Sequence, residues 1–500
     1  MEAFTNVISF INSNILWGIP LIIAIMGTGI LISIRTRFLQ VRKFSTTLKK
    51  TIIPTVRSIF VPQKKDDSTE GGQISQFQAF SAAISGTVGT GNIVGVAGAM
   101  LSGGPGAVFW MWVSAFFGLV TNYSENVLGL YFRKKDQEGN ISGGPMYYIS
   151  EGLGMKGLAY IFSLCCLVAA LGMGMVQSNS LSGTIAAAIA QSQSQRFALS
   201  LLIGVVVAFL AGAIMIGGIR RIGAVASLLV PFMALVFMIC AAVILVVNFR
   251  DIPFAFREIF AGAFSLRSVS GGVFGYVITM SMRYGFARGV FSNEAGLGSS
   301  VIAHSASDTR EPVQQGLWGI FEVFFDTFII CTLTAITLIV VGKSSGVIDF
   351  ANIAQNAGVG KNDIASLAFT QTFGSIGLIL FSIIIPLFAF TTILAWAFYG
   401  VKACTYIFSS HVKKATICFQ LMYIVLLFLG SIAKSDFVWE LDDMFNALMA
   451  LPNLFALVCL SGLVVKISDN YFRRARGEDI EPMLSAYRER NEELAGSLRK

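Results

Sequence analysis

Histidine is nearly absent from this chain. With only His304 and His411 in 500 residues, a zinc or haem site, or general-base chemistry resting on imidazole, has little to be built from. There is no His-Glu-x-x-His run and no nucleophile–base pair, which argues against an enzyme. The seven cysteines (Cys165, Cys166, Cys240, Cys331, Cys404, Cys418, Cys459) lack metal-ligand or disulfide spacing, and nearly all fall within apolar stretches, where they read as small packing residues. Charge is scarce too: 13% of residues are charged against 55% hydrophobic, with a mean hydropathy of +0.72. Too few polar side chains remain to cover the surface of a soluble domain. The formal charge of +8 sits between apolar runs, with no basic groove interleaved with aromatics, so nucleic acid is not an expected partner. Met1 to Asn14 has no basic start, so no cleavable signal peptide is expected and the first apolar run stays in the mature chain.

What is there is long hydrophobic runs. About 20 apolar residues span a bilayer, and eleven stretches qualify: 12–34, 75–101, 104–132, 157–189, 197–218, 222–248, 271–300, 316–342, 366–399, 414–433 and 441–465. The chain is read as an all-α polytopic protein of the cell membrane. Loop 35–72 is rich in Arg and Lys, from Arg35 to Lys65, while nothing before the first span carries either. Basic residues recur at Arg133 to Lys135, Arg220 and Arg221, Lys402 to Lys414 and the tail from Lys466. The positive-inside rule therefore puts the N-terminus outside and the C-terminus inside. Setting the first span aside leaves two sets of five. Five is odd, so the second set runs inverted relative to the first, as in many secondary carriers. The divisions expected are 1–73, an extra helix and basic linker; 74–250, the first repeat; 251–466, an external loop and the second repeat; and 467–500, a cytoplasmic tail with a helix over Glu481 to Leu498. Loops 249–270 and 343–365 are long enough for structure of their own and lie where they would cap an outer gate.

Two of these stretches break in corresponding places, at Gly89-Thr90-Gly91-Asn92 and at Phe291-Ser292-Asn293-Glu294-Ala295-Gly296. An unpaired backbone group in hydrocarbon costs several kcal/mol, so non-helical backbone persists only where protein or a hydrated cavity surrounds it. Matched interruptions in two halves point to a binding site. At the first break the half-helix that follows offers free N–H groups and a positive dipole end to a carboxylate. The carbonyls that precede it, around Gly86 and Thr87, suit sodium. The same glycines would also serve as a Gly91-x-x-x-Gly95 packing face.

At the second break Phe291, Ser292 and Asn293 are candidates to touch substrate. Glu294 is expected to pair with Arg283 or Arg288, since buried charges need partners, although it would also balance a cation. Gln177 places a neutral amide deep in the fourth stretch, for substrate or for an interhelical hydrogen bond. Thr391 and Thr392 would complete a sodium shell against the first-break carbonyls, or back-bond their own helix. Trp396 either bounds the site or packs. Glu125, Glu322 and Asp326 are further intramembrane acids that pair or carry protons.

The run Gly103-Gly104-Pro105-Gly106-Ala107-Val108-Phe109-Trp110-Met111-Trp112-Val113-Ser114-Ala115-Phe116-Phe117-Gly118, with Gly89 to Ala97 and Ser292 to Gly296, closely resembles the sodium:alanine symporters, the alanine or glycine:cation symporter family. The resemblance spans essentially the whole chain. It implies a leucine-transporter-type fold of five plus five helices with one added helix, and sodium- or proton-coupled uptake of small neutral amino acids. By that resemblance Thr90, Gly91, Gln177, Phe291 and Ser292 line the substrate site, and Thr391 and Thr392 contribute to sodium. One monovalent cation crossing about 100 mV supplies about 2.3 kcal/mol, nearly fifty-fold accumulation. A carrier preferring glutamine or asparagine is the nearer alternative and an ion channel the more remote one.

Overall fold

The computed structural model describes residues 2–55, 74–135, 141–264, 274–346, 361–433 and 435–485. Helix α1 (Glu2–Ile11) leads through a widened turn, Asn12–Leu16, into α2 (Ile19–Arg35). Next comes α3 (Gln76–Thr87), started by a capping box in which the Ser75 hydroxyl accepts from the Gln78 amide and the Gln78 side chain accepts from Ser75 N–H. After the break, α4 (Val94–Gly103) departs at 58° to α3. Helix α5 (Gly106–Tyr131) is followed by a two-residue hairpin pairing, β1 (Lys134–Lys135) with β2 (Ile141–Ser142). Three long helices complete the first half: α6 (Lys156–Ile189), α7 (Gln193–Met215) and α8 (Gly218–Val247).

Loop 249–270 holds α9 (Ile252–Ala263). Then come α10 (Phe274–Asn293), the second break, and the short α11 (Ser300–His304). Helix α12 (Pro312–Ser345) contains a π-helical segment, Phe324–Cys331. Helices α13 (Lys361–Phe373), α14 (Ser375–Ile407), α15 (Val412–Ile432) and α16 (Ser435–Arg474) close the chain.

Among the described residues seven helices are long and apolar enough to cross a membrane, or eight if the bent α3–α4 pair is one span. Phe209 on α7, Leu228 on α8 and Leu421 on α15 turn outward, as lipid-facing side chains do. Within the bundle, helices approach through glycine. A Cβ on Gly400 would lie 2.1 Å from the Phe419 ring, and one on Gly430 2.7 Å from Met175 Cα. Small residues at crossings stand in for a hydrophobic driving force that lipid does not supply.

Three expectations need correction. The stretch 366–399 is not one helix: Gly374, at φ +58°, separates α13 from α14, a left-handed conformation that glycine takes without strain. The second interruption lies later than its motif, because Phe291 to Asn293 still form the last turn of α10 and the chain unwinds from Glu294 to Ser299. The tail helix expected from Glu481 is absent over 481–485, where the chain follows an irregular path; its continuation, like most of loop 343–365, lies outside the described residues.

The Gly-Gly-Pro-Gly run has a packing cause. Gly106 opens α5 flush against α9, so that a Cβ there would lie 2.2 Å from the Gly262 carbonyl carbon. Neither backbone can yield as a side chain does. Gly106→Ala is expected to cost about 1–3 kcal/mol through overpacking, read as a lower melting temperature of the detergent-solubilised protein. An unchanged melting curve would show that α9 does not hold this position.

Candidate substrate and ion site

The first break is built around Asn92. Val88 leaves the helix, Gly89 is extended, and Thr90–Asn92 form a single 3-10 turn. The Asn92 carbonyl oxygen accepts from Gly89 N–H at 2.9 Å, satisfying a donor that unwinding frees. Its amide nitrogen donates at 2.5 Å to Asp326 Oδ1 on the π segment of α12. The Thr90 hydroxyl donates to Gln177 Oε1 at 2.9 Å, which ties the break to α6. Gly89 is shut in on its other side by α14, where an added Cβ would lie 2.6 Å from the Thr392 hydroxyl.

The last turn of α10, which leads into the second break, meets the same carboxylate. The Ser292 hydroxyl lies 3.1 and 3.0 Å from the two oxygens of Asp326, and the Thr327 hydroxyl donates to Oδ2 at 2.8 Å. Asn293 donates to Thr327 at 3.0 Å. The π segment inserts a wide turn into α12, a device frequent at functional sites, and Asp326 stands on it. Among the described residues no ion pair reaches this fully buried acid; its hydrogen bonds come from neutral groups.

The unwound backbone beyond Asn293 is held by two further acids. Glu294 has φ +55°, uncommon for a residue other than glycine. Its carboxylate accepts from the Ser299 hydroxyl and, at 3.1 Å, from the Trp396 indole N–H. Gly296 and Gly298 also have positive φ. Gly296 N–H donates to Glu125 Oε1 at 3.0 Å, and Asn453 Nδ2 bridges Glu125 and the Gly296 carbonyl at 2.5 and 2.9 Å. His304, at the end of α11, is fully buried with Nε2 2.7 Å from Glu322 and Nδ1 2.6 Å from Gln315.

Of the residues expected to bind substrate, Gly89, Thr90, Gly91, Asn92, Gln177, Phe291, Ser292 and Asn293 gather in this one region. The Phe291 ring lies 3.5 Å from where a Cβ on Gly91 would stand. Trp396 instead serves Glu294 and packs edge-on to Tyr399. The four sodium candidates separate. Thr392 donates to the Ser85 carbonyl at 2.9 Å and so meets the end of α3, whereas Thr391 bonds the Leu387 and Phe388 carbonyls of its own helix and contacts Met233. Thr87 bonds back to Ile84, and Gly86 faces the Tyr399 hydroxyl. Asp326 and Glu125 are legible in the sequence only as intramembrane acids that pair or carry protons, from their depth in apolar runs, and nothing local marks Asn453.

The expected pairing of Glu294 with Arg283 or Arg288 does not form. Arg288 instead makes a two-pronged ion pair with Asp443 of α16, at 2.7 and 3.2 Å. The reason is geometric: Arg288 lies before the unwound turn, and its guanidinium extends over the rings of Phe291 and Trp439 at 5.1 and 5.7 Å. A cavity of about 250 Å³ opens above, lined by Gly95, Gly98, Arg288, Trp439 and Asp443. Phe291 thus spans from Gly91 to the residues of that cavity. The segment joining α1 and α2 braces the same corner, with Asn12 donating to the Glu440 carbonyl at 2.7 Å and the Trp17 indole to the Asp443 carbonyl at 2.9 Å.

Two interrupted helices, each held by buried carboxylates inside a helical bundle, define a secondary transporter and not an enzyme. The fold is similar to that in the crystal structure of MhsT in complex with L-phenylalanine, a leucine-transporter-type carrier, with a TM-score of 0.50 and 14% identity over 79% of this chain and 98% of that one. The family model for the sodium:alanine symporter family matches residues 1–485, and the chain belongs to that family. It is 37% identical to the sodium/alanine symporter AgcS of Methanococcus maripaludis over 92% of this chain and 96% of that protein. It is 30% identical to the probable sodium/glutamine symporter GlnT of Bacillus subtilis over 96% and 93%. It is thus a multi-pass cell-membrane protein that carries amino acids together with a cation, sodium being the co-transported ion of the family.

The Arg288–Asp443 pair is only 20% and 12% exposed, so removing one partner strands the other. Arg288→Asp is expected to lower thermal stability, and Asp443→Arg on that background to restore it. The double-mutant cycle should return a coupling of about 0.5–3 kcal/mol. Strictly additive effects would show that the pair does not latch α10 to α16.

Proposed function

We propose that this protein takes up small neutral amino acids, alanine and glycine, by alternating access driven by sodium entry. The observation that carries this reading is that Asp326 joins the first break, through Asn92, to the last turn of α10 at the edge of the second, through Ser292. A carboxylate surrounded only by neutral donors calls for a counter-ion, since a buried charge is normally paired. Sodium arriving there as cargo would supply it and bring the two unwound turns into register. The zwitterion would then lie between them. Its carboxylate would face the N–H groups at the start of α4, its ammonium group the carbonyls ending α10, and its side chain Phe291 and Gln177. A second sodium position is favoured where Thr392 meets the end of α3, near Gly86 and Thr87; Thr391, bonded to its own helix, would contribute only on turning from that contact.

Eleven spans in two inverted sets of five, with the N-terminus outside, suit this scheme. The divisions follow as 1–73, 74–250, 251–466 and 467–500, with the basic loops facing the cytoplasm. In that orientation the Arg288–Asp443 pair closes the outer side. The inner side is closed by Arg133, which donates to the carbonyls of Ser305, Ser307 and Thr309 and to the Ser485 hydroxyl. Burial pushes its guanidinium down to about 10, which leaves it charged at neutral pH. The chain entering α3 adds to this seal, since Ile74 exchanges backbone hydrogen bonds with Ala306 and Asp308.

The preference for a small substrate is inferred from close packing at the first break, where Phe291 stands against Gly91 and Thr392 against Gly89. A second reading, glutamine or asparagine, rests on the likeness to the glutamine symporter.

Purified protein in proteoliposomes should accumulate labelled alanine only with an inward sodium gradient; full-rate uptake without sodium would exclude the coupling. Asp326→Asn is expected to raise the sodium concentration for half-maximal uptake at least about ten-fold, equivalent to about 1.4 kcal/mol, while the protein stays folded. An unaltered sodium dependence would remove Asp326 from the ion path. Competition by unlabelled glycine and alanine but not glutamine is expected. Stronger competition by glutamine than by glycine would favour the second reading.

A further inference from the structure

At the end of α2 the chain reverses through Arg37 and Phe38, two successive residues with φ +55° and +53°. Each left-handed residue other than glycine costs about 1–2 kcal/mol, and such strain persists only where surroundings enforce it. Here the Arg42 guanidinium holds the turn from outside, donating to the Arg37 and Thr36 carbonyls at 2.6 and 3.1 Å. The turn fans its basic side chains toward the end of α16. Between the two helix ends lies a cavity of about 310 Å³, at the lower end of the range for ligand sites.

The charge in this cavity is one-sided. Arg35, Arg37, Arg42, Lys43, Arg473 and Arg476 line it, with Asp469 as the one acid among the lining residues. Glu478 stands beside it and bonds Arg473 at 2.5 Å and Arg476 at 3.1 Å, while Lys43 lies over the Phe472 ring at 4.5 Å. Six cations crowded against two acids repel one another, and an entering anion would relieve them. None of these groups takes part in the transport site, which lies at the breaks.

The two elements that form the cavity also carry exposed apolar side chains. Ile30, Ile34, Phe38 and Val41 are exposed on the α2 side, and Leu451, Phe455 and Val458 on the α16 side. An anion held at the cavity therefore has hydrocarbon-facing surface leading away from it along both helices. A free phosphate would use only the cavity; a lipid would use both. Basic pockets at the membrane boundary between helices are suited to anionic headgroups.

We propose that this cavity binds the phosphate group of an anionic phospholipid whose acyl chains lie along the seam between α2 and α16. The lipid ties the added N-terminal helix to the last one, and so bears on the bracing of α16 by Asn12 and Trp17 at the other end of α2.

The test uses the full chain, purified and stripped of lipid in a neutral detergent. Phosphatidylglycerol, phosphatidylcholine and inorganic phosphate are each titrated against the melting temperature, and bound lipid is counted by native mass spectrometry. Phosphatidylglycerol is expected to stabilise the protein and remain bound, with little effect from the other two. Arg37→Gln with Arg476→Gln should weaken the apparent affinity for phosphatidylglycerol at least ten-fold. Arg37→Lys, which keeps the charge, should retain most of it, and Arg220→Gln, in a basic turn elsewhere, should change nothing. If the double variant fails to fold, Lys43→Gln read by bound-lipid count serves in its place, with a smaller loss expected. Stabilisation by inorganic phosphate equal to that by phosphatidylglycerol would overturn the lipid assignment in favour of a free-anion site. Equal phosphatidylglycerol binding by wild type and charge-removing variants would overturn the site itself.

Discussion

Two helices give up main-chain hydrogen bonds inside the membrane, and satisfying the freed groups is the requirement around which the bundle is arranged. Each freed N–H or C=O would cost several kcal/mol against hydrocarbon. The protein answers with short polar side chains and buried carboxylates brought in from neighbouring helices. Asn92 returns a hydrogen bond to Gly89, while Glu125 and Asn453 together hold Gly296. Glu125 of α5 is thus part of the backbone's own hydrogen-bonding scheme. Glu294, Glu322 and Asp326, buried like it, act one step away, on the side chains of Ser299, Trp396, His304, Asn92, Ser292 and Thr327.

These acids divide into two kinds. Glu294, Glu125 and Glu322 are engaged by Trp396, Ser299, Asn453 and His304, all within the second break or the helices packed on it. They give that break a defined shape. Asp326 alone among these acids joins the first break to the end of the other interrupted helix, on a stretch of α12 whose helix is itself widened. A contact shared by both interrupted helices is the place where an ion can affect both at once. In the proposed cycle the outer side is held by Arg288 with Asp443 and the inner side by Arg133 with the carbonyls after α11, two sets of contacts that share no residue; alternating access calls for that independence.

Much of this was readable from residue order. The two breaks were visible because Gly, Thr, Ser and Asn interrupt runs otherwise fit to span a bilayer, and composition alone excluded a soluble domain. The eight residues that gather around the breaks were singled out by the same signal. What could not be read was partner choice. Arg288 stands six residues before Glu294 and was the natural partner on paper, yet it pairs with Asp443, 155 positions away. Thr391 and Thr392 are neighbours in sequence, but a helix turns adjacent side chains about 100° apart, so only Thr392 meets the end of α3.

Residue order was enough to establish a membrane-embedded helical bundle and where its helices are interrupted, and its motifs to establish which family it resembles. The first two follow from local composition, since hydrocarbon admits only backbone that bonds itself. Packing settled the rest: which acid faces which donor, that Asp326 joins the first break to the end of α10, that Trp396 supports Glu294, and that α2 and α16 enclose a basic cavity. Each of these joins residues tens to hundreds of positions apart. Their distances are set by how glycine-lined helices pack against one another, and nothing in local composition encodes them.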